Sequence, residues 1–213
     1  MVPRTALLTT STNRIKLAAT YNPTSTTLYI DQIYNDIREL AHGGFGTVYK
    51  ATLRTTGKKY AIKKFMEDKS ALDKWMEVKN NEKVGDHLYC THYFGAWKQM
   101  KDIYMCLQLS QMSLHDFVKD NPFQEMLLWD VLHDVGQALH YLHVDKKYVH
   151  HDIKSKNILI HGNFFKLADF GLMEDFSKYP MMMSLSKNGP GDIFALAEAV
   201  SYSVTEGLYR QGS

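Results

Sequence analysis

Short segments of this sequence combine residue types suited to chemistry on phosphate groups. Ala41-His42-Gly43-Gly44-Phe45-Gly46-Thr47-Val48 is a glycine-rich turn between two strand-like runs. Glycine lets backbone N–H groups approach a phosphate with no Cβ in the way, although a hairpin that simply needs glycines would read the same. Tyr60-Ala61-Ile62-Lys63 sets a lysine in a strand-like run, a pattern shared with any surface lysine. Tyr148-Val149-His150-His151-Asp152-Ile153-Lys154-Ser155-Lys156-Asn157 gathers a carboxylate, a lysine and an amide, and Ala168-Asp169-Phe170-Gly171 follows a short apolar run. A metal site on the adjacent His150 and His151 is a poor reading, because neighbouring residues rarely point at one ion. Core histidines that support backbone are the better one. Cys90 and Cys106 are the only cysteines and have no CxxC spacing, so neither a disulfide framework nor a zinc site is indicated.

In order and in context, these segments resemble the signature set of eukaryotic protein kinases. The resemblance implies ATP and Mg²⁺ as the ligands. Ala41, His42, Gly43, Gly44, Phe45, Gly46 and Val48 would cover the phosphates, with Ala41 standing where the kinase G-x-G-x-x-G has its first glycine. Lys63, after Ala61, would neutralise the α and β phosphates and be held by a helix carboxylate: Glu77, or its competitors Glu67 and Glu82. Asp152 would orient or accept the proton of the substrate hydroxyl, and Lys154 would steady the transferring phosphoryl group. Asn157 and Asp169 would bind the metal.

A narrower resemblance lies in Met76 to His87, with its E-K-V-G-x-H run, followed by Phe94-Gly95-Ala96-Trp97. This is similar to the Wee/Myt group, and to its Myt branch in particular. That alignment selects Glu77 and makes Leu107, Gln108, Leu109 and Ser110 the hinge behind the adenine. It makes Asp192-Ile193-Phe194-Ala195-Leu196 the start of the anchoring helix. His151 stands where most kinases have an arginine that reads a phosphorylated activation loop, which implies that no such switch operates here. The implied partner is a cyclin-dependent kinase, phosphorylated on adjacent Thr and Tyr to block mitotic entry. A kinase of the translation initiation factor group is a further reading, but the link between Gln99 and Ile103 lacks the long insert expected there. No A-P-E lies between Asp169 and Asp192, and Glu174 to Pro180 reads as a contracted relic of the segment that docks peptide substrates. With the chain ending soon after the anchoring helix, these features favour a kinase-like regulator of weak catalysis as the alternative function.

The elements that must position these residues are legible in the apolar periodicity. Tyr34 to Leu40, Thr47 to Leu53 and Lys58 to Lys63 read as an antiparallel meander turning at Thr55-Thr56-Gly57. Ser70 opens a helix carrying Leu72, Trp75 and Val78 at helix spacing, and Tyr93 to Gln99 and Ile103 to Leu109 read as two more strands. Ser113 to Asp116 fits a capping box, Pro122 precedes a helix with Leu128, Leu132, Val135, Leu139 and Leu142 on one face, and Ile158 to Leu167 reads as a hairpin. Ile193, Leu196, Ala197, Val200 and Val204 form the apolar face of a last helix.

The expected fold is therefore α+β and two-lobed: a small antiparallel-sheet N-lobe with one helix over 33–110, and a mainly helical, incomplete C-lobe over 111–213. Residues 1–32, rich in Ser and Thr, read as a disordered tail, with a transit peptide as the alternative. The net charge of +2 is too mild for a dedicated nucleic-acid binder. With no long apolar run, no membrane segment is expected, and the cysteine usage points to an intracellular site, nucleus or cytoplasm.

Overall fold

The computed structural model describes residues 5–7, 20–44, 46–66, 70–121, 125–178, 191–193, 195–199 and 201. They divide into two compact units, one of Met1–Gly85 with His92–Leu109, the other of Asp86–Thr91 with Ser110–Ser213.

The first unit is built on a six-stranded antiparallel sheet. Its strands are β1 (Thr5–Leu7), β2 (Tyr34–Gly43), β3 (Gly46–Leu53), β4 (Lys59–Lys64), β5 (Tyr93–Gln99) and β6 (Asp102–Gln108), in the spatial order β1-β5-β6-β4-β3-β2. Period-two alternation sends the residues to two faces. On one face Ala51, Ile62, Trp97, Tyr104 and Cys106 form an apolar cluster, in which the Trp97 and Tyr104 rings stack at 5.2 Å. On the other, Ala96, Ile103 and Met105 pack with Phe65 and with Val78 of a helix, α2 (Ala71–Val84). Ser70 caps that helix by accepting the Asp73 N–H at 3.0 Å, and Gly85 ends it at φ 68°.

Two expectations change here. The ordered part of the chain begins before residue 33: helix α1 (Tyr29–Ile33) buries Tyr29, Ile30 and Ile33 on the aromatic face of the sheet. The Tyr29 N–H donates to Gln99 Oε1 at 2.7 Å, and β1 pairs with Trp97–Gln99. Composition over residues 1–32 averages a Ser/Thr-rich stretch with a short apolar one that has a sheet face to cover. The second concerns α2, whose apolar stripe Leu72, Trp75, Val78 is buried only at Val78. Leu72 is 67% exposed, while Lys74, Glu77, Asn80 and Asn81 are buried with Val78 and Val84. A polar inward face is what placing Glu77 against the sheet requires, and a search for apolar periodicity passes over it.

The β2–β3 hairpin tests the bland reading of its glycines. Gly46 has φ +132°, and a Cβ there would meet the Lys64 carbonyl oxygen at 2.2 Å, so the backbone itself demands glycine. Gly43 and Gly44 have open space around a would-be Cβ and no left-handed backbone. Ala41 in the strand has none either, which explains why alanine is tolerated there. Gly46→Ala is therefore expected to cost about 2 kcal/mol or more, read as a lower urea midpoint, and Gly44→Ala about 0.5 kcal/mol or less.

The second unit holds β7 (Met112–Ser113), α3 (Leu114–Asp120), α4 (Glu125–His140), β8 (Tyr148–Val149), β9 (Ile158–His161), β10 (Phe164–Leu167) and β11 (Glu174–Asp175). Ser113 caps α3, accepting the Asp116 N–H at 3.1 Å and donating to its carboxylate at 2.7 Å. Pro122 lies outside the described residues. Helix α4 buries Val131, Val135, Ala138 and Leu139 and runs on through a π turn, Tyr141–Lys146, that buries Leu142. Its buried Asp134 accepts the Phe165 N–H at 2.8 Å, tying the helix to the β9–β10 hairpin. Residues 191–193, 195–199 and 201 are helical, and they bury Asp192, Leu196 and Ala199 while Ile193 is exposed. That face is rotated from the expected one because Asp192 points inward; Val200 and Val204 lie outside the described residues. Among the described residues, no helix is long and apolar enough to cross a membrane.

Candidate functional site

Strand register assembles the residues expected to face phosphate within the first unit. Ala41 lies opposite Val48, Val48 opposite Lys63, Lys63 opposite Met105, and Ala61 opposite Leu107. Residues directly opposite share a face, so Ala41, Val48, Ala61, Lys63 and Leu107 line one side of the sheet. Lys63 Nζ forms an ion pair with Glu77 Oε1, with the lysine side chain 8% exposed and the glutamate 1%. The Glu82 charge acts on the hydroxyl of Tyr93, whose ionisation burial and Glu82 both oppose. Glu67 lies outside the described residues, as does Phe45. His42 departs from the set: its ring bonds Thr47 Oγ1 at 2.8 Å, and that pair sits on the opposite face from Val48. Gln108 likewise pairs with Tyr60 on that other face, and its N–H donates to the His92 carbonyl at 2.9 Å, leaving Leu109 to end the unit.

The second unit carries the residues expected to handle the proton and the metal. The Asp152 carboxylate accepts from Lys154 Nζ at 2.8 and 2.7 Å and from Asn157 Nδ2 at 2.8 Å. Asn157 Nδ2 also donates to the Asp152 carbonyl at 2.9 Å, so the amide nitrogen faces the loop and its Oδ1 is the atom suited to a cation. The Asn157 carbonyl accepts the Ala168 N–H at 2.9 Å, which sets Asn157 beside the residue that precedes Asp169. Asp169 has φ 64°, a left-handed backbone unusual outside glycine, and its Oδ1 lies 3.4 Å from the Gly171 N–H. Among the described residues no group of three or more His, Cys, Asp or Glu side chains could hold a metal alone. One carboxylate and one amide nevertheless fit a Mg²⁺ that takes its remaining ligands from phosphate and water, as this ion commonly does. Burial pushes the Cys90 and Cys106 thiols up to about 12, which removes both as nucleophiles.

Sequence reading missed the support of this loop. Asp192 Oδ2 accepts the His150 N–H at 2.7 Å and Oδ1 accepts the His151 N–H at 2.9 Å, while His143 Nε2 bonds Oδ2 at 2.9 Å. Burial alone would raise the Asp192 carboxyl; the hydrogen bonds from His143, His150 and His151 outweigh it and hold it below its ordinary value. Asp192 was legible only as a helix start, because its partners lie 41 to 49 residues away in sequence.

His150 is fully buried, and its Nε2–H donates to the Ala168 carbonyl at 3.1 Å. Its Nδ1 accepts the Asp152 N–H at 3.2 Å, so the neutral ring satisfies both contacts. Burial lowers its proton affinity despite the carboxylates of Asp192, Asp169 and Asp152. Below about pH 6.5 the unfolded chain therefore binds a proton that the folded chain refuses, and stability falls as pH drops. Urea unfolding between pH 7.5 and 5.5 should show this slope, reduced by up to about 1.4 kcal/mol per pH unit in His150→Asn. His87, also lowered by burial, retains its share.

A family model for the protein kinase domain matches residues 34–188. The chain is 29% identical over 184 residues to the membrane-associated tyrosine- and threonine-specific cdc2-inhibitory kinase wee-1.1 of Caenorhabditis elegans, covering 85% of this chain and 39% of that protein. It is 31% identical to the Drosophila melanogaster kinase of the same description, over 70% of this chain and 29% of the other. Its identity to a Wee1-like protein kinase of Arabidopsis thaliana is 31%, over 65% of this chain and 29% of that one. The chain thus spans between 29% and 39% of the length of these relatives.

Proposed function

The chain belongs to the protein kinase domain family, and on that premise we propose that it transfers the γ-phosphoryl group of ATP to a hydroxyl of a protein substrate. The observation that carries this reading is the Asp152 carboxylate held between Lys154 and Asn157, a base oriented by one cation and one amide. In this reading Asp152 orients the attacking hydroxyl and takes its proton. Lys154 balances charge on the moving phosphoryl group. Lys63, fixed by Glu77, neutralises phosphate oxygens, and the open backbone at Gly43 and Gly44 leaves room for phosphate against the hairpin. Asn157 and Asp169 would hold Mg²⁺, which supplies charge neutralisation at the phosphates.

The substrate we propose is a cyclin-dependent kinase, phosphorylated on threonine and tyrosine to inhibit it, within the nucleus or cytoplasm. Two of the relatives carry the description of tyrosine- and threonine-specific cdc2-inhibitory kinases, and this supports the choice. The test is phosphorylation of a purified cyclin-dependent kinase by this protein, with sites read by mass spectrometry and Asp152→Asn as the control. Phosphate on its adjacent Thr and Tyr, absent with the control, is the expected result. Phosphorylation of a generic peptide but not of this target would overturn the substrate while leaving the kinase reading in place.

A further inference from the structure

We propose that His151 and Glu174 form a positioning pair that holds the segment after Gly171 against the catalytic loop. This rests on the protein kinase reading, under which the loop at Asp152 meets the substrate.

His151 is tied at both ends of its residue. Its backbone, in the left-handed region at φ 64°, donates to Asp192, and its ring Nε2 lies 3.5 Å from Glu174 Oε2. Histidine is among the few residue types besides glycine that occupy this backbone region readily. Glu174 opens β11, whose ladder sets Glu174 opposite Val149 and Asp175 opposite Tyr148; the Phe176 N–H then donates to the Lys147 carbonyl at 3.2 Å. One residue next to Asp152 therefore connects the loop, the helix bearing Asp192 and the strand following Asp169-Phe170-Gly171.

The magnitude decides what kind of device this is. His151 and Glu174 side chains are 47% and 58% exposed, and ion pairs so solvated are weak. Alone the pair could not order a loop. Added to a two-residue ladder that is itself marginal, it biases the segment towards the docked position.

The test is amide hydrogen exchange of the peptide spanning residues 173–177 in the ligand-free protein at pH 6.5, where no catalysis is needed. His151→Leu and Glu174→Gln are each expected to speed exchange about two- to five-fold, and the double variant no more than either single one. Wild-type exchange in both single variants, or additive effects in the double, would each overturn the proposal. In phosphotransfer assays the singles should raise KM for the protein substrate with Mg-ATP affinity unchanged. Wild-type protein that transfers no phosphate would sink the kinase reading separately, since the exchange result stands by itself.

Discussion

Asp152→Asn is expected to slow phosphotransfer about 100-fold or more while leaving Mg-ATP binding in place. The substitution keeps shape and one acceptor oxygen, so Asn157 retains a partner, but it removes the negative charge that holds Lys154 and the basicity that would receive the hydroxyl proton. General-base contributions commonly amount to about 10²–10⁴ in rate. Single-turnover transfer to a cyclin-dependent kinase measures the loss, and thermal shift with Mg-ATP measures the binding. If the variant transfers phosphate at the wild-type rate, Asp152 is not the base. If it also loses Mg-ATP stabilisation, the carboxylate belongs to the nucleotide-binding set instead.

Lys63→Met should produce the largest loss of stability together with loss of Mg-ATP stabilisation. The two partners differ in what removal of the other leaves behind. Glu77, 1% exposed, would keep a carboxylate that cannot reach water, whereas Lys63 has a little exposure and a flexible stem. Breaking a buried pair typically costs about 3–5 kcal/mol, and removing the lysine leaves a charged carboxylate in the interior where Glu77→Gln leaves a neutral amide, so Lys63→Met should destabilise more than Glu77→Gln. The double variant Lys63→Met/Glu77→Leu should regain most of that stability without regaining nucleotide binding. Glu77→Gln should weaken transfer more than Mg-ATP binding, because it loosens the lysine without deleting it. A Lys63→Met protein as stable as wild type, and equally stabilised by Mg-ATP, would remove the phosphate-site assignment.

Much of the site was legible because its chemistry is local in sequence. Asp152, Lys154 and Asn157 sit within one turn-like stretch, and their mutual bonds span no more than five residues. The pairing of Lys63 with Glu77 spans 14 residues, and sequence alone left three candidate carboxylates until resemblance chose one. Among the glycines the pattern was visible but not the cause, since it takes the Lys64 carbonyl to show that Gly46 is structural and Gly43 and Gly44 are not.

Strand and helix order followed from period-two and helix-period apolar patterns, which are properties of neighbouring residues. Turn and cap chemistry at Gly57, Ser70, Ser113 and Gly162 likewise acts over a few positions. Tertiary structure alone decided which face of α2 turns inward, why His42 points away from Lys63, and how the short apolar helix Tyr29–Ile33 is used. It alone brought Asp192 to the backbone of His150 and His151, and Glu174 to the His151 ring. Such contacts depend on how the chain folds back on itself, and a buried acceptor such as Asp192 finds its donors wherever unpaired backbone N–H groups are left, however distant in sequence.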